Sequence, residues 1–86
     1  MKHRKRSRIQ IILEILALLE KGERSKTSIV YQTNLNFRTA DRHLENLVEK
    51  GLIAWSEVTG RWNITPAGEK CRETLERSLA SIEAVL

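Results

Sequence analysis

The stretch from Ser25 to Gly68 constrains the fold more than any other part of this sequence. It predicts, without a gap, two short helices and a β-hairpin. The first helix covers Ser25–Thr33, and the turn Asn34-Leu35-Asn36 separates it from an amphipathic helix over Phe37–Lys50.

The second of these helices has clear ends and one apolar face. Asn36 is a good N-cap because its side chain can accept a hydrogen bond from a free backbone N–H, and Gly51 is a good C-terminal stop. The apolar residues fall within about 100° of arc, and they are Phe37, Ala40, Leu44, Leu47 and Val48.

The hairpin follows directly. The segments Leu52–Trp55, which is apolar throughout, and Arg61–Ile64, in which polar and apolar residues alternate, lie on either side of the turn Glu57–Gly60 and have the period-two character of strands. We expect Trp55 and Trp62 to pair across the two strands, where aromatic rings contribute a large buried area. The residues expected to face the core are Ile53 and Ile64.

A first helix, Arg8–Lys21, precedes this unit and ends at Gly22. It carries two apolar stripes on nearly opposite sides. One consists of Ile9, Ile12, Leu16 and Leu19, and the other of Ile11, Ile15 and Leu18. A surface helix needs only one such face. The second stripe therefore predicts a further contact, for which a C-terminal helix is the candidate; in a second copy of the chain, this stripe could supply part of the partner for that helix.

A last helix is expected after Thr65-Pro66, where threonine can cap the helix and proline suits its first turn. Its apolar residues recur at spacings of four, three and four, like a short coiled-coil seam, and they are Leu75, Leu79, Ile82 and Leu86. Such a seam predicts a homodimer. The alternative is that this helix folds back on its own first helix and leaves a monomer.

Charge is distributed unevenly along the 86 residues, which carry a net charge of +4. Residues 1–8 hold five basic residues and no acid, so the remainder has a net charge of −1. A basic arm favours an anionic partner, with nucleic acid the first choice. Together with the helices, this divides the chain into an arm (1–8), a central domain (9–65) and a dimerisation helix (66–86).

Two segments carry a resemblance to a known family: Leu-Val-Glu-Lys-Gly-Leu-Ile at 47–53 and Ile-Thr-Pro-Ala-Gly at 64–68. Over residues 9–75 the sequence resembles the small archaeal winged-helix transcriptional regulators. The resemblance implies an α+β, mostly α, winged helix-turn-helix of three helices and a two-stranded wing, with a coiled-coil-like C-terminal helix. It also implies DNA binding, and in several family members that last helix forms the dimer.

In a helix-turn-helix, the N-terminal half of the second helix enters the major groove of DNA. The side chains opposite its apolar arc are then the candidates for contacts with bases. Arg38 and Arg42 can each hold a guanine, and Asn46 can hold an adenine. Thr39 can contact a phosphate or a thymine methyl group, and Asn36 lies where a helix N-terminus favours a phosphate.

The remaining candidate DNA contacts are basic residues outside this helix: Lys26, Arg61 at the wing, and the arm residues Arg4, Lys5, Arg6 and Arg8. Asp41 and Glu45 are close enough in sequence to pair with Arg38 or Arg42, which is the alternative to a DNA contact. For Tyr31 we favour a packing role over a hydrogen bond to phosphate.

Nothing in the sequence indicates catalysis, a metal or a cofactor. His3 and His43 have no partners at metal-ligand spacing, and there is no nucleophile motif or glycine-rich phosphate loop. The single cysteine, Cys71, excludes an internal disulfide, and we interpret it as a small apolar residue of the last helix. No apolar run has the length needed to span a bilayer, about 18 residues.

The sequence-based hypothesis is a non-enzymatic, sequence-specific regulator of transcription that binds double-stranded DNA as a homodimer. We expect it in the cytoplasm, associated with the nucleoid, with no evident small-molecule effector. Two alternatives stay open: an architectural DNA-binding protein of low sequence preference, and a winged helix used for protein interaction. RNA binding is disfavoured because both tryptophans are expected within the wing.

Overall fold

Residues 6–86 are described by a computed structural model of the chain. Four helices and one antiparallel sheet follow each other in the order α1 (Arg8–Glu20), α2 (Lys26–Thr33), α3 (Phe37–Glu49), β1 (Ile53–Ser56), β2 (Arg61–Ile64) and α4 (Pro66–Val85). The predicted winged helix-turn-helix fold is confirmed, with helix ends within one residue of those expected.

Side-chain caps fix where the helices start. Ser25, Asn36 and Thr65 each accept a hydrogen bond from a backbone N–H in the first turn of α2, α3 and α4. At α1 the cap is Ser7, which forms a reciprocal capping box with Gln10. Helix α1 begins at Arg8, as predicted for the first helix, and this residue is also the last of the arm at 1–8.

The core is built around α1, which contacts α2, β2 and α4. Its members are buried residues from four elements, α1, α2, α3 and β1, namely Ile15, Leu16, Leu19, Ile29, Leu44, Leu47 and Ile53.

The placement of Ile15 in a dimer interface is wrong, because its side chain is 0% exposed within its own chain. Ile11 and Leu18, from the same stripe, are half-buried and pack against the same core. Neighbouring elements of one chain cover both faces of α1, and helical periodicity alone cannot distinguish that arrangement from contact with a second copy.

The wing has the predicted tryptophan pair. Trp55 lies opposite Trp62 in the β1–β2 register, and their rings meet edge to face with centroids 4.9 Å apart. The backbone of Arg24 forms an isolated antiparallel bridge with β2, since Arg24 and Trp62 exchange two N–H···O=C hydrogen bonds of 3.0 and 2.8 Å. No sequence pattern predicted that bridge, which anchors the loop after α1 to the wing.

A tight joint connects the end of α3 with the start of α4. The Thr65 hydroxyl donates a hydrogen bond to the carbonyl oxygen of Gly51 at 2.7 Å and accepts one from the Gly68 N–H at 3.0 Å. The Thr65 N–H also donates to the Leu52 carbonyl at 3.1 Å. The two segments that carry the family resemblance, 47–53 and 64–68, are therefore the two sides of one structural joint.

Helix α4 packs on α1 at its beginning and is open at its end. Cys71 packs against the core, and Arg72 forms an ion pair with Glu20 of α1 at 2.7 Å. Further along the seam, Leu75 and Leu79 are half-buried, whereas Ile82 is 53% exposed and Leu86 is 96% exposed. Of the helices within residues 6–86, none has the length and apolar character needed to cross a membrane.

Candidate nucleic-acid interface

The outer face of α3 is basic in its first half and acidic in its second. Ala40, Leu44 and Leu47 are buried against the core, which turns the opposite side of the helix to solvent. Arg38 and Arg42 are both exposed there, followed one turn later by Glu45 and then Glu49. The structure thus presents the two predicted arginines at the end of the helix that enters a major groove in this fold.

An open groove of about 550 Å³ runs between α1 and α3. It brings together four of the predicted DNA-contacting residues, one residue predicted for the dimer interface (Ile11) and one assigned to no site. Its lining consists of Arg8, Ile11, Thr39, Arg42, His43 and Asn46. Arg38 is not part of this lining. The groove places Arg8, the first residue of α1, beside α3, which the sequence did not predict.

His43 is the unpredicted member of this groove. It is half-buried, and that burial lowers the pKa of its imidazole below the ordinary value of 6.5, with smaller contributions in the same direction from Arg42 and Arg8. The side chain is therefore mostly uncharged at neutral pH. Loss of hydration and two positive neighbours both oppose its protonation.

The charge pairs around α3 differ from those that the sequence allowed. Asp41 pairs with Lys26 of α2 at 2.8 Å and not with an arginine of its own helix. Lys26, a predicted phosphate contact, thus has a carboxylate partner on the protein. Within residues 6–86, Arg38 and Arg42 form no ion pair shorter than 4.0 Å, so their guanidinium groups are available to a ligand.

The other predicted contacts lie in several places. Asn36 caps α3 by accepting the Thr39 N–H at 2.7 Å, and Arg61 is exposed at the start of β2. Arg6 turns back onto the protein, where it pairs with Glu14 and its guanidinium approaches the Asn34 carbonyl at 3.5 Å. Arg4 and Lys5 lie outside the described residues.

Tyr31 does not have the packing role that we favoured. Its side chain is 79% exposed on α2. A single tyrosine on a short helix gives no periodic signal, so the sequence could not show on which side of α2 it lies. Its hydroxyl is therefore open to a polar partner.

A second groove, of about 440 Å³, lies on the other side of Arg42. Its lining is more acidic and includes an aromatic ring, because two carboxylates and a wing tryptophan contribute to it. The lining residues are Arg42, Glu45, Asn46, Val48, Glu49 and Trp62. Arg42 and Asn46 border both grooves. The part of the chain that the structure describes contains no cluster of three His, Cys, Asp or Glu residues able to hold a metal ion.

A sequence model described as winged helix-turn-helix matches residues 5–83, which is most of the chain. The chain belongs to the winged helix-turn-helix family. This membership confirms the fold and the non-enzymatic class predicted from the sequence. An archaeal relative, the uncharacterized protein MJ0287 of Methanocaldococcus jannaschii, is 32% identical over 71 residues, which span 83% of this chain and 71% of the relative.

Solved structures agree with this assignment. Sso10a-2, a DNA-binding protein from Sulfolobus solfataricus, superposes with a TM-score of 0.81 over 93% of this chain and 85% of its own, at 23% identity. The homodimeric winged helix-turn-helix DNA-binding domain of Mb0332 from Mycobacterium bovis, described as a possible ArsR-family transcriptional regulator, has a TM-score of 0.61 at 32% identity. That match covers 86% of this chain and 67% of the Mb0332 domain.

Proposed function

We propose that this protein binds double-stranded DNA as a homodimer and regulates transcription, with α3 in the major groove. The observation that carries the proposal is the pair of exposed arginines, Arg38 and Arg42, one turn apart on the outer face of α3. Both guanidinium groups are free of carboxylate partners within residues 6–86. An arginine so placed can donate two hydrogen bonds to the O6 and N7 atoms of a guanine.

Two of the similar structures support the proposal. Sso10a-2 is a DNA-binding protein, and the Mb0332 fragment is a homodimeric DNA-binding domain. The likeness to Sso10a-2 concerns the fold alone at 23% identity. The likeness to Mb0332, at 32% identity, extends to the sequence.

The flanking residues would position the protein on the duplex. Asn46 and Thr39 lie half-buried along the side of α3 that faces α1, where they can approach a base edge or a phosphate. Phosphate contacts are assigned to the residues near the two ends of this surface and in the arm: Asn36, Lys26, Arg61, Arg8, Arg6, Arg4 and Lys5. For Lys26 such a contact competes with the 2.8 Å pair to Asp41.

We assign the homodimer contact to the open part of the α4 seam. Leu86 is 96% and Ile82 is 53% exposed, while Leu79 and Leu75 are half-buried. A second seam packed against this one would remove those side chains from water, as in a short coiled coil. Ile9, 45% exposed at the start of α1, adds apolar surface, and the half-buried Ile11 and Leu18 are secondary candidates. A two-fold dimer would present two α3 helices to two half-sites.

The proposal can be tested by fluorescence-anisotropy binding to a mixed-sequence duplex over a series of salt concentrations. Wild type is compared with Arg38→Ala/Arg42→Ala and with a control that loses the same charge, Lys70→Ala/Arg77→Ala, on the exposed side of α4. Each phosphate contact contributes about −0.9 to the slope of log K against log salt. We expect the α3 variant to bind at least about tenfold more weakly, and the α4 variant to bind like wild type.

The outcomes separate the alternatives. If folded Arg38→Ala/Arg42→Ala bound DNA as tightly as wild type, α3 would be excluded as the interface. Absence of binding at low salt by folded wild-type protein would favour the protein-interaction alternative. Selection of binding sites from a random library then distinguishes a regulator, which prefers its best site by about 10³ or more, from an architectural protein with little preference.

A further inference from the structure

The groove between α1 and α3 has a lining suited to an anion. It combines two guanidinium groups, Arg8 and Arg42, with a hydroxyl, an amide and an imidazole from Thr39, Asn46 and His43. No acidic side chain contributes to this lining. Neither arginine forms an ion pair within residues 6–86, so their charge is not already neutralised.

The lining free of acidic side chains is confined to the α1–α3 groove, as the neighbouring groove shows. On the other side of Arg42, Glu45 and Glu49 replace the second arginine and the imidazole. An anion approaching Arg42 is repelled by carboxylates on that side and attracted by Arg8 on the α1 side. The electrostatics thus direct an anion toward the groove that contains His43.

Within residues 6–86, the charges that act on His43 come from two elements. Arg42 lies on its own helix and Arg8 on α1, and both oppose protonation. Of the elements that pack against α3, β1 has no charged residue, and the one charged residue of α2, Lys26, is paired with Asp41. His43 therefore lies between two positive charges, with burial added, and the pKa of its imidazole is lowered.

We propose that the α1–α3 groove is a proton-linked phosphate site, in which Arg8 and Arg42 hold a DNA backbone phosphate and His43 takes up a proton as the phosphate binds. The inference rests on the proposed function and extends it. Phosphates border both edges of the major groove that would hold α3, so one row lies against the side of α3 that faces α1.

The linkage follows from charge. A phosphodiester brings one negative charge between the arginines, which offsets their repulsion and favours the imidazolium form of His43. The proton comes from solvent. The positively charged imidazolium then attracts the phosphate and can donate N–H hydrogen bonds to its oxygens. Because the bound state holds more protons than the free state, DNA affinity must rise as the pH falls.

The first experiment measures duplex affinity at about pH 8 and about pH 5.5. If binding raises the pKa of the imidazole by one unit, the affinity rises by at most tenfold, and the full factor is reached only below both pKa values. Because the pKa of free His43 lies below 6.5, we expect wild-type affinity to rise severalfold at the lower pH. His43→Gln, which cannot be protonated, should lose most of this rise. His3→Gln is the matched control, since His3 is the one other histidine of the sequence, and it should retain the rise.

The second experiment follows the imidazole directly. The chemical shift of the Cε1 proton of His43 is followed by NMR as a function of pH, and the resonance is assigned by its absence in His43→Gln. The titration is done without ligand, with duplex and with inorganic sulfate, which is a tetrahedral anion of fixed charge. We expect the pKa of His43 to rise with duplex, and Arg8→Gln to reduce the rise. A rise with sulfate as well indicates an anion site that exists without DNA, and a rise with duplex alone indicates a site completed by the DNA.

These experiments distinguish failure of this inference from failure of the proposed function. If the protein binds DNA but the pKa of His43 does not rise, or His43→Gln keeps the full pH response, this inference is wrong and the proposed function stands. If the protein does not bind DNA, the proposed function fails and the sulfate titration alone decides whether the groove holds anions. Absence of any shift with sulfate would then overturn the site.

Discussion

Gly68, in the first turn of α4, lies directly against the carbonyl oxygen of Leu52. A Cβ atom at Gly68 would overlap that backbone oxygen and would lie 2.7 Å from Cγ1 of Ile64. Because the overlap with Leu52 is with a backbone atom, a side-chain rotation cannot relieve it. The close approach of α4 to the end of α3 therefore requires glycine, which has no side chain, at position 68.

Gly68→Ala should separate α4 from the wing and lower the free energy of unfolding by about 3 kcal/mol, the upper range for overpacking a tight contact. For a domain of this size that corresponds to a fall of roughly 15 °C in Tm. The control is Gly60→Ala, which has open space around its Cβ and a φ of +67°, so it should cost only about 1 kcal/mol. Thermal unfolding at one protein concentration measures both, and equal losses would contradict the proposed overlap.

Thr65 stabilises the same joint through its hydroxyl, which donates to the Gly51 carbonyl and accepts from the Gly68 N–H. We expect Thr65→Val to lower the free energy of unfolding by about 1–2 kcal/mol, because it removes a helix cap and leaves a carbonyl without its donor. Thr65→Ser keeps the hydroxyl and should recover most of the loss. Urea denaturation of the three proteins gives the comparison, and a serine variant as unstable as the valine variant would show that the methyl group matters instead.

The features that the sequence predicted well depend on a few neighbouring residues. An N-cap such as Asn36 or Thr65 needs only the backbone two or three residues away, so its sequence signal and its structure coincide. The outward direction of Arg38 and Arg42 follows from the apolar arc of the same helix. These local rules placed the elements and the outer face of α3 correctly.

The features that the sequence missed depend on how elements pack against each other. Ile15 and Ile9 both belong to apolar stripes of α1, yet one is 0% and the other 45% exposed, because α2, β2 and α4 cover the helix unequally. The pair Lys26–Asp41 and the meeting of Arg8 with α3 join residues 15 or more positions apart. No periodicity within one helix carries that information.

His43 should also make the fold less stable in acid. Its pKa is lowered in the folded chain by burial and by Arg42 and Arg8, and returns to about 6.5 on unfolding. Above that value the imidazole is neutral in both states and has no effect on stability. As the pH falls below 6.5, the unfolded chain binds the proton first, so stability declines until the folded pKa is passed.

Urea midpoints at about pH 7.5 and about pH 5.5 measure this decline. His43→Gln should show a smaller fall in midpoint than wild type, because both proteins share every other titrating group. His3→Gln should fall as much as wild type. If His43→Gln lost as much stability as wild type, the imidazole would not be the source of the acid sensitivity.

The open end of the α4 seam gives the last prediction. Ile82 and Leu86 are mostly exposed, so replacing them changes little within one chain but places charge in the proposed interface between two chains. We expect Ile82→Asp/Leu86→Asp to be monomeric by light scattering at concentrations where wild type is a dimer, because each buried, unpaired carboxylate would cost several kcal/mol. Ala80→Asp/Ala84→Asp adds the same charge to the opposite side of the same helix and should remain dimeric. A wild-type protein that is monomeric at every concentration would contradict the interface, and a dimer that survives the seam substitutions would place it on another face.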